Sequence, residues 1–89
     1  MRLITKENYD KLNSAYEHII SIYYAACAAD GDEDAWGNAY DIIFDGGYCK
    51  TVTECVPNFT WYDPDASYQE DVCAFVWALE ELIKDIKVI

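Results

Sequence analysis

Apolar side chains at Tyr9, Leu12, Tyr16, Ile19, Ile20, Tyr23 and Cys27 recur with the three- and four-residue spacing that lays a single stripe along an α-helix. Asp10, Asn13, Ser14, Glu17, His18 and Ser21 take the opposite side. A second stripe, Val72, Phe75, Val76, Leu79, Leu82, Ile83 and Ile86, runs near the other end of the chain. An 89-residue chain has room for one core. Neither stripe can be left in water, so the two must share that core, and the architecture they dictate is helix on helix. Local signals agree. Thr5 is placed to cap the first helix, Glu7 lies in its first turn, and Asp30-Gly31 supplies a stop. Ser67 stands three residues before Glu70 as a capping box, and Lys84 and Lys87 fall in the expected final turns of the last helix, where cations complement free carbonyls.

The middle of the chain reads two ways. Asp32 can cap a helix with Glu33 and Asp34 in its first turn and Trp36, Ala39, Tyr40 and Ile43 turned inward, ending at Gly46-Gly47, although Gly37 within it lowers helix propensity. Tyr40 to Phe44 and Tyr48 to Thr53 also suit a hairpin around Asp45-Gly46-Gly47, since both flanks hold β-branched and aromatic residues. The helix is favoured because the residues ahead of it form a complete helix start. Thr51 and Glu54 repeat the capping-box pattern, but Pro57 limits any helix started there to a turn or two. Phe59 to Tyr62 then runs extended into an Asp63-Pro64-Asp65 turn. The expected fold is an all-α single domain over 1–89, a small bundle of three to four helices with an irregular 45–66 segment. The alternative is α+β with a short antiparallel hairpin at about 40–53.

Charge is distributed unevenly along this frame. From Leu12 to Cys49, and again from Thr51 to Ile83, there is no lysine or arginine, while each stretch carries seven carboxylates; the net charge is -11. Such crowding raises the free energy of the compact state and at the same time attracts basic partners. Placed on elements, the carboxylates form two clusters: Asp30, Asp32, Glu33, Asp34, Asp41 and Asp45, then Asp63, Asp65, Glu70 and Asp71. Carboxylates three or four residues apart on a helix lie ~5–6 Å from one another and coarsely resemble a phosphate backbone. Trp61 and Tyr62, beside the second cluster, are suited to anchor an interface, whereas Trp36 and Tyr40 suit the core.

Other functions find little support. His18 is the single histidine, no glycine-rich phosphate loop is present, and no Cys-His or Ser-His spacing suggests a nucleophile, so no enzymatic activity and no cofactor are expected. Asp30, Asp32, Asp34 and Asp41 fall at positions 1, 3, 5 and 12 of a calcium-loop pattern, but Ala35 replaces the required glycine and Asp41 is shorter than the usual glutamate. An acidic loop capping the second helix fits better, and no metal is expected. The four cysteines, Cys27, Cys49, Cys55 and Cys73, lack zinc-site spacing and read as reduced thiols in or near the core. The N-terminal residues lack a signal-peptide pattern and no run is long enough to span a bilayer, which points to the cytoplasm, that of a bacterial host if the chain is phage-encoded. Negative charge disfavours nucleic acid and anionic membranes as direct ligands.

The expected partner is therefore a basic protein, in particular a nucleic-acid-binding enzyme or complex whose lysine- and arginine-lined groove accepts the clusters in place of DNA. In size, acidity and lack of catalytic motifs the chain resembles phage-encoded anti-CRISPR and anti-restriction proteins that mimic DNA, and equally an immunity protein that neutralises a nuclease toxin. A non-enzymatic structural or regulatory helical module, homodimeric through exposed aromatics, is the alternative.

Overall fold

A computed structural model describes residues 2–29 and 31–89. The elements run β1 (Arg2–Ile4), α1 (Lys6–Ala28), α2 (Glu33–Tyr40), a π-helical turn (Asp41–Asp45), α3 (Tyr48–Cys55), α4 (Tyr68–Asp85) and β2 (Ile86–Val88). The helical bundle is as expected, and the hairpin alternative is overturned: residues 40–53 are helical apart from the Gly46-Gly47 bend. The 23 residues of α1 account for most of the 41 Å long axis of a body 22 by 20 Å across.

The two long helices form for the reasons their patterns give. Thr5 Oγ1 accepts a hydrogen bond from the Asn8 N–H at 3.2 Å, and Ser67 Oγ accepts one from the Glu70 N–H at 3.1 Å, so each helix starts at its capping residue. Leu12, Ile19, Val72, Phe75, Val76 and Leu79 are fully buried and join Ile43 and Val52 in one core. Each such side chain contributes roughly 1.5–3 kcal/mol by leaving water. Cys27 departs from the expected stripe: it lies exposed on the last turn of α1, whereas Cys55 is buried and Cys49 and Cys73 are half-buried.

The middle of the chain continues as helix further than its pattern suggests. After α2 the backbone widens into the π turn, in which the Gly46 N–H donates to the Asp41 and Ile42 carbonyls. Gly46 is required there, because a Cβ would collide with the Ile42 carbonyl. Gly47 comes next at φ 96°, a left-handed conformation that glycine adopts at no steric cost. It precedes α3, which starts at Tyr48 rather than at Thr51; Thr51 instead sits a turn inside, its N–H and hydroxyl both donating to the Gly47 carbonyl. The irregular segment thus shrinks to residues 56–67.

The chain ends correct the reading of the last helix. Ile86 and Lys87 are not in α4, which stops at Asp85, but in β2, paired in parallel with β1 through Arg2↔Ile86, Leu3↔Lys87 and Ile4↔Val88. The cause is a long-range pairing that buries Ile4 and hands the Ile89 N–H to the Ile4 carbonyl at 2.9 Å.

Candidate functional site

The acidic face is built by the junction of α2 with the start of α4. Asp32 caps α2, its carboxylate accepting from the Asp34 N–H at 2.9 Å. That leaves Glu33 and Asp34 exposed in the first turn, where the helix end favours negative charge. Asp41 and Asp45 lie further along, both exposed, in the π turn. Across from them, Asp63 Oδ1 accepts from the Asp65 N–H at 3.1 Å, and Asp65 takes a left-handed φ of 50°. This compact turn delivers the chain to Ser67 and α4.

An aromatic cluster holds the junction. Phe75 is fully buried and meets Trp61 edge-on, with centroids 4.9 Å apart, as well as Phe44 and Phe59. Trp61 is therefore half-buried and packed into this cluster, while Tyr62 next to it is 81% exposed. Tyr68, the first residue of α4, packs on the Tyr40 ring at 5.0 Å. The Tyr68 ring also covers Gly37, 3.5 Å from where a Cβ would be, an ordinary contact distance. The residue that weakens α2 as a helix is thus where α4 docks.

This docking merges the two clusters. Glu33 and Asp34 of the first, Asp65 and Asp71 of the second, line one pocket together with Trp36, Tyr40 and Tyr68. Asp41 joins Glu33 and Asp34 in an adjoining depression that Tyr68 also lines. The Tyr40 phenol registers the same convergence, because its ionisation is pushed up first by burial and then by the charges of Asp71, Asp63, Asp45 and Asp65. Glu70 is not part of this set; it lines a separate groove with Tyr62, Pro64, Cys73 and Trp77. Asp30 lies outside the described residues.

Asp71 also departs from expectation. It is the sole buried charged residue among those described, only 8% exposed, and so cannot act as one more surface carboxylate. Burial, then the Asp63 charge and a hydrogen bond with Asp63, push its carboxyl upward, opposed by the backbone N–H groups of Asp65 and Ala66. Its Oδ1 nevertheless accepts no hydrogen bond from any described residue. The helical stripe could have flagged it: Asp71 sits beside Val72 and one turn before Phe75, on the inward side. Trp77, 60% exposed in the groove with Tyr62, is a further residue the sequence reading missed, though its position off the α4 stripe foretells exposure.

Four lysines pair elsewhere: Lys6 with Asp10, Lys11 with Glu7, Lys50 with Glu54 and Lys84 with Glu81. Among the described residues no ion pair reaches Asp32, Glu33, Asp34, Asp41, Asp45, Asp63, Asp65 or Glu70. No group of three or more histidine, cysteine or carboxylate side chains among them is arranged to hold a metal ion, and no helix is long and apolar enough to cross a membrane. His18 is exposed, with Nδ1 2.8 Å from the Ser14 carbonyl and its ring stacked on Tyr48. Comparison with known protein families, with curated proteins and with solved structures finds no match to this chain.

Proposed function

We propose that this chain is an acidic inhibitor that docks on the basic surface of a nucleic-acid-binding protein and occupies the place of DNA or RNA there. The observation that carries this reading is the meeting of exposed carboxylates from α2 and the 63–65 turn around one pocket, and from α2 and the π turn around an adjoining depression, with no described cation paired to them. An ordinary soluble surface intersperses both signs, which gains solubility without the self-repulsion of a one-signed patch. Charge-steered docking on a groove shaped for phosphates makes use of that repulsion, since the partner's cations relieve it.

The test is capture of partners from lysate at about 0.05 M and about 0.5 M salt, followed by elution with duplex DNA. A nucleic-acid-binding protein retained at low salt and displaced by DNA is expected. Retention that ignores both salt and DNA, or that survives replacement of Glu33, Asp34, Asp63 and Asp65 by their amides, would overturn it. The groove lined by Tyr62, Pro64, Ala74 and Trp77 favours a second reading, a homodimer through exposed aromatics. Sedimentation across concentration distinguishes them, because an apolar dimer persists at high salt.

A further inference from the structure

We propose that the pocket between α2 and the 65–71 segment is a receptor for a guanidinium group, the side chain of an arginine on the basic partner. This deepens the function proposed above and rests on it. Two independent features meet in the pocket. The first is its lining: the carboxylates of Glu33, Asp34 and Asp65 together with the rings of Trp36, Tyr40 and Tyr68, and no basic side chain. The second is Asp71, nine-tenths buried at the same site, with Oδ1 left without a hydrogen bond from any described residue.

A buried oxygen without a donor costs free energy until something supplies one. A guanidinium suits this need better than the alternatives. It is planar, so it stacks on tyrosine and tryptophan faces, and it carries five N–H donors, enough to serve Asp71 and the rim carboxylates together. It is also weakly hydrated, so it enters a partly apolar pocket more readily than an ammonium does. A calcium ion would need six to eight oxygens around it, and here the rings of Trp36, Tyr40 and Tyr68 form part of the wall. Tyr68 is 55% exposed and Asp65 is exposed, so the side chains at the mouth can move aside as the guanidinium reaches Asp71.

The experiment is an amide and indole NMR titration of the whole protein at about 0.15 M salt. The probes are a hepta-arginine peptide, the matching hepta-lysine and citrulline peptides, and methylguanidinium. Arginine peptide is expected to shift the Trp36 indole and the Gly37 and Tyr68 amides first, to bind at least about tenfold more tightly than the lysine peptide, and to leave citrulline inert. Methylguanidinium should shift the same resonances at much higher concentration, which distinguishes a side chain presented by a partner from a free guanidinium ligand; equal affinity per guanidinium would favour the free ligand and overturn the partner assignment. Asp71→Asn and, separately, Tyr68→Ala should each weaken the arginine peptide about tenfold; the second guards against a folding defect in the first. If arginine peptide spreads its shifts over Glu7, Glu17 and Glu80 as much as over the pocket, or binds both variants as well as the parent, the pocket is no receptor, while a basic partner elsewhere on the acidic face still stands. If neither basic peptide binds even at low salt, the basic-partner reading falls with it.

Discussion

Phe75 is the side chain on which the position of the acidic turn depends, and truncating it offers the sharpest test of the architecture. It is fully buried and lies within ring-contact distance of Phe44, Phe59 and Trp61, at 5.3, 6.1 and 4.9 Å between centroids. Phe75→Ala removes a ring from the centre of the core and is expected to cost about 3–5 kcal/mol, transfer and cavity together. At about 0.05–0.15 kcal/mol per residue a domain of this size holds roughly 4–13 kcal/mol in all, so this variant stands at the edge of unfolding. Phe75→Leu keeps most of the volume and should cost about 1–1.5 kcal/mol, lowering Tm by roughly 4–12 °C. The Trp61 contact is edge-on at 81°, a geometry worth about 0.5–1.5 kcal/mol beyond area. A double-mutant cycle of Phe75→Leu with Trp61→Leu should return that coupling. Urea unfolding followed by far-ultraviolet circular dichroism measures all of it, since the helical signal does not depend on Trp61. Loss of less than about 1 kcal/mol in Phe75→Ala, or a cycle that closes to zero, would refute the claim that this cluster anchors residues 59–65 to α4.

Three further outcomes are expected. Ser67→Ala should lose about 1 kcal/mol in urea unfolding, and Ser67→Asp should retain the stability, because the cap needs an oxygen acceptor for the Glu70 N–H and favours negative charge. Gly46→Ala should lose about 1–3 kcal/mol through the collision with the Ile42 carbonyl, and a variant as stable as the parent would dismiss the π turn. Asp71, faced by Asp63, Asp65 and the Tyr40 phenol, has a carboxyl raised above its ordinary value of 3.8 by burial and then by the charge of Asp63. The folded protein therefore holds this proton at pH values where the unfolded chain has released it, so stability falls as pH rises from 3.8 through the raised value and stays lower above it. Asp71→Asn should flatten that fall and raise Tm near neutral pH; an equal Tm difference from the parent at about pH 4 and about pH 7 would contradict it.

The helical frame was legible because its signals are local. Thr5, Ser67 and the two apolar stripes act within one or two turns, so their spacing along the chain already states their geometry. The β1–β2 pair was not legible, since three residues at each end acquire strand character only from each other. The packing of Trp61 was not legible for a similar reason: a tryptophan between threonine and tyrosine has no local pattern, and only the approach of Phe75 brings its ring against the core.

By itself, the order of residues determined two amphipathic helices, their starting points and an excess of negative charge that no neighbouring lysine offsets, because caps, periodicity and charge are properties of short segments. Tertiary structure decided how that charge is arranged. By seating Tyr68 on Gly37 and Tyr40, it brought carboxylates some thirty residues apart in the chain onto one face, and it drew Asp71 out of the surface row to leave its buried Oδ1 without a hydrogen bond from any described residue. Through-space proximity and desolvation, which act across elements, made that difference.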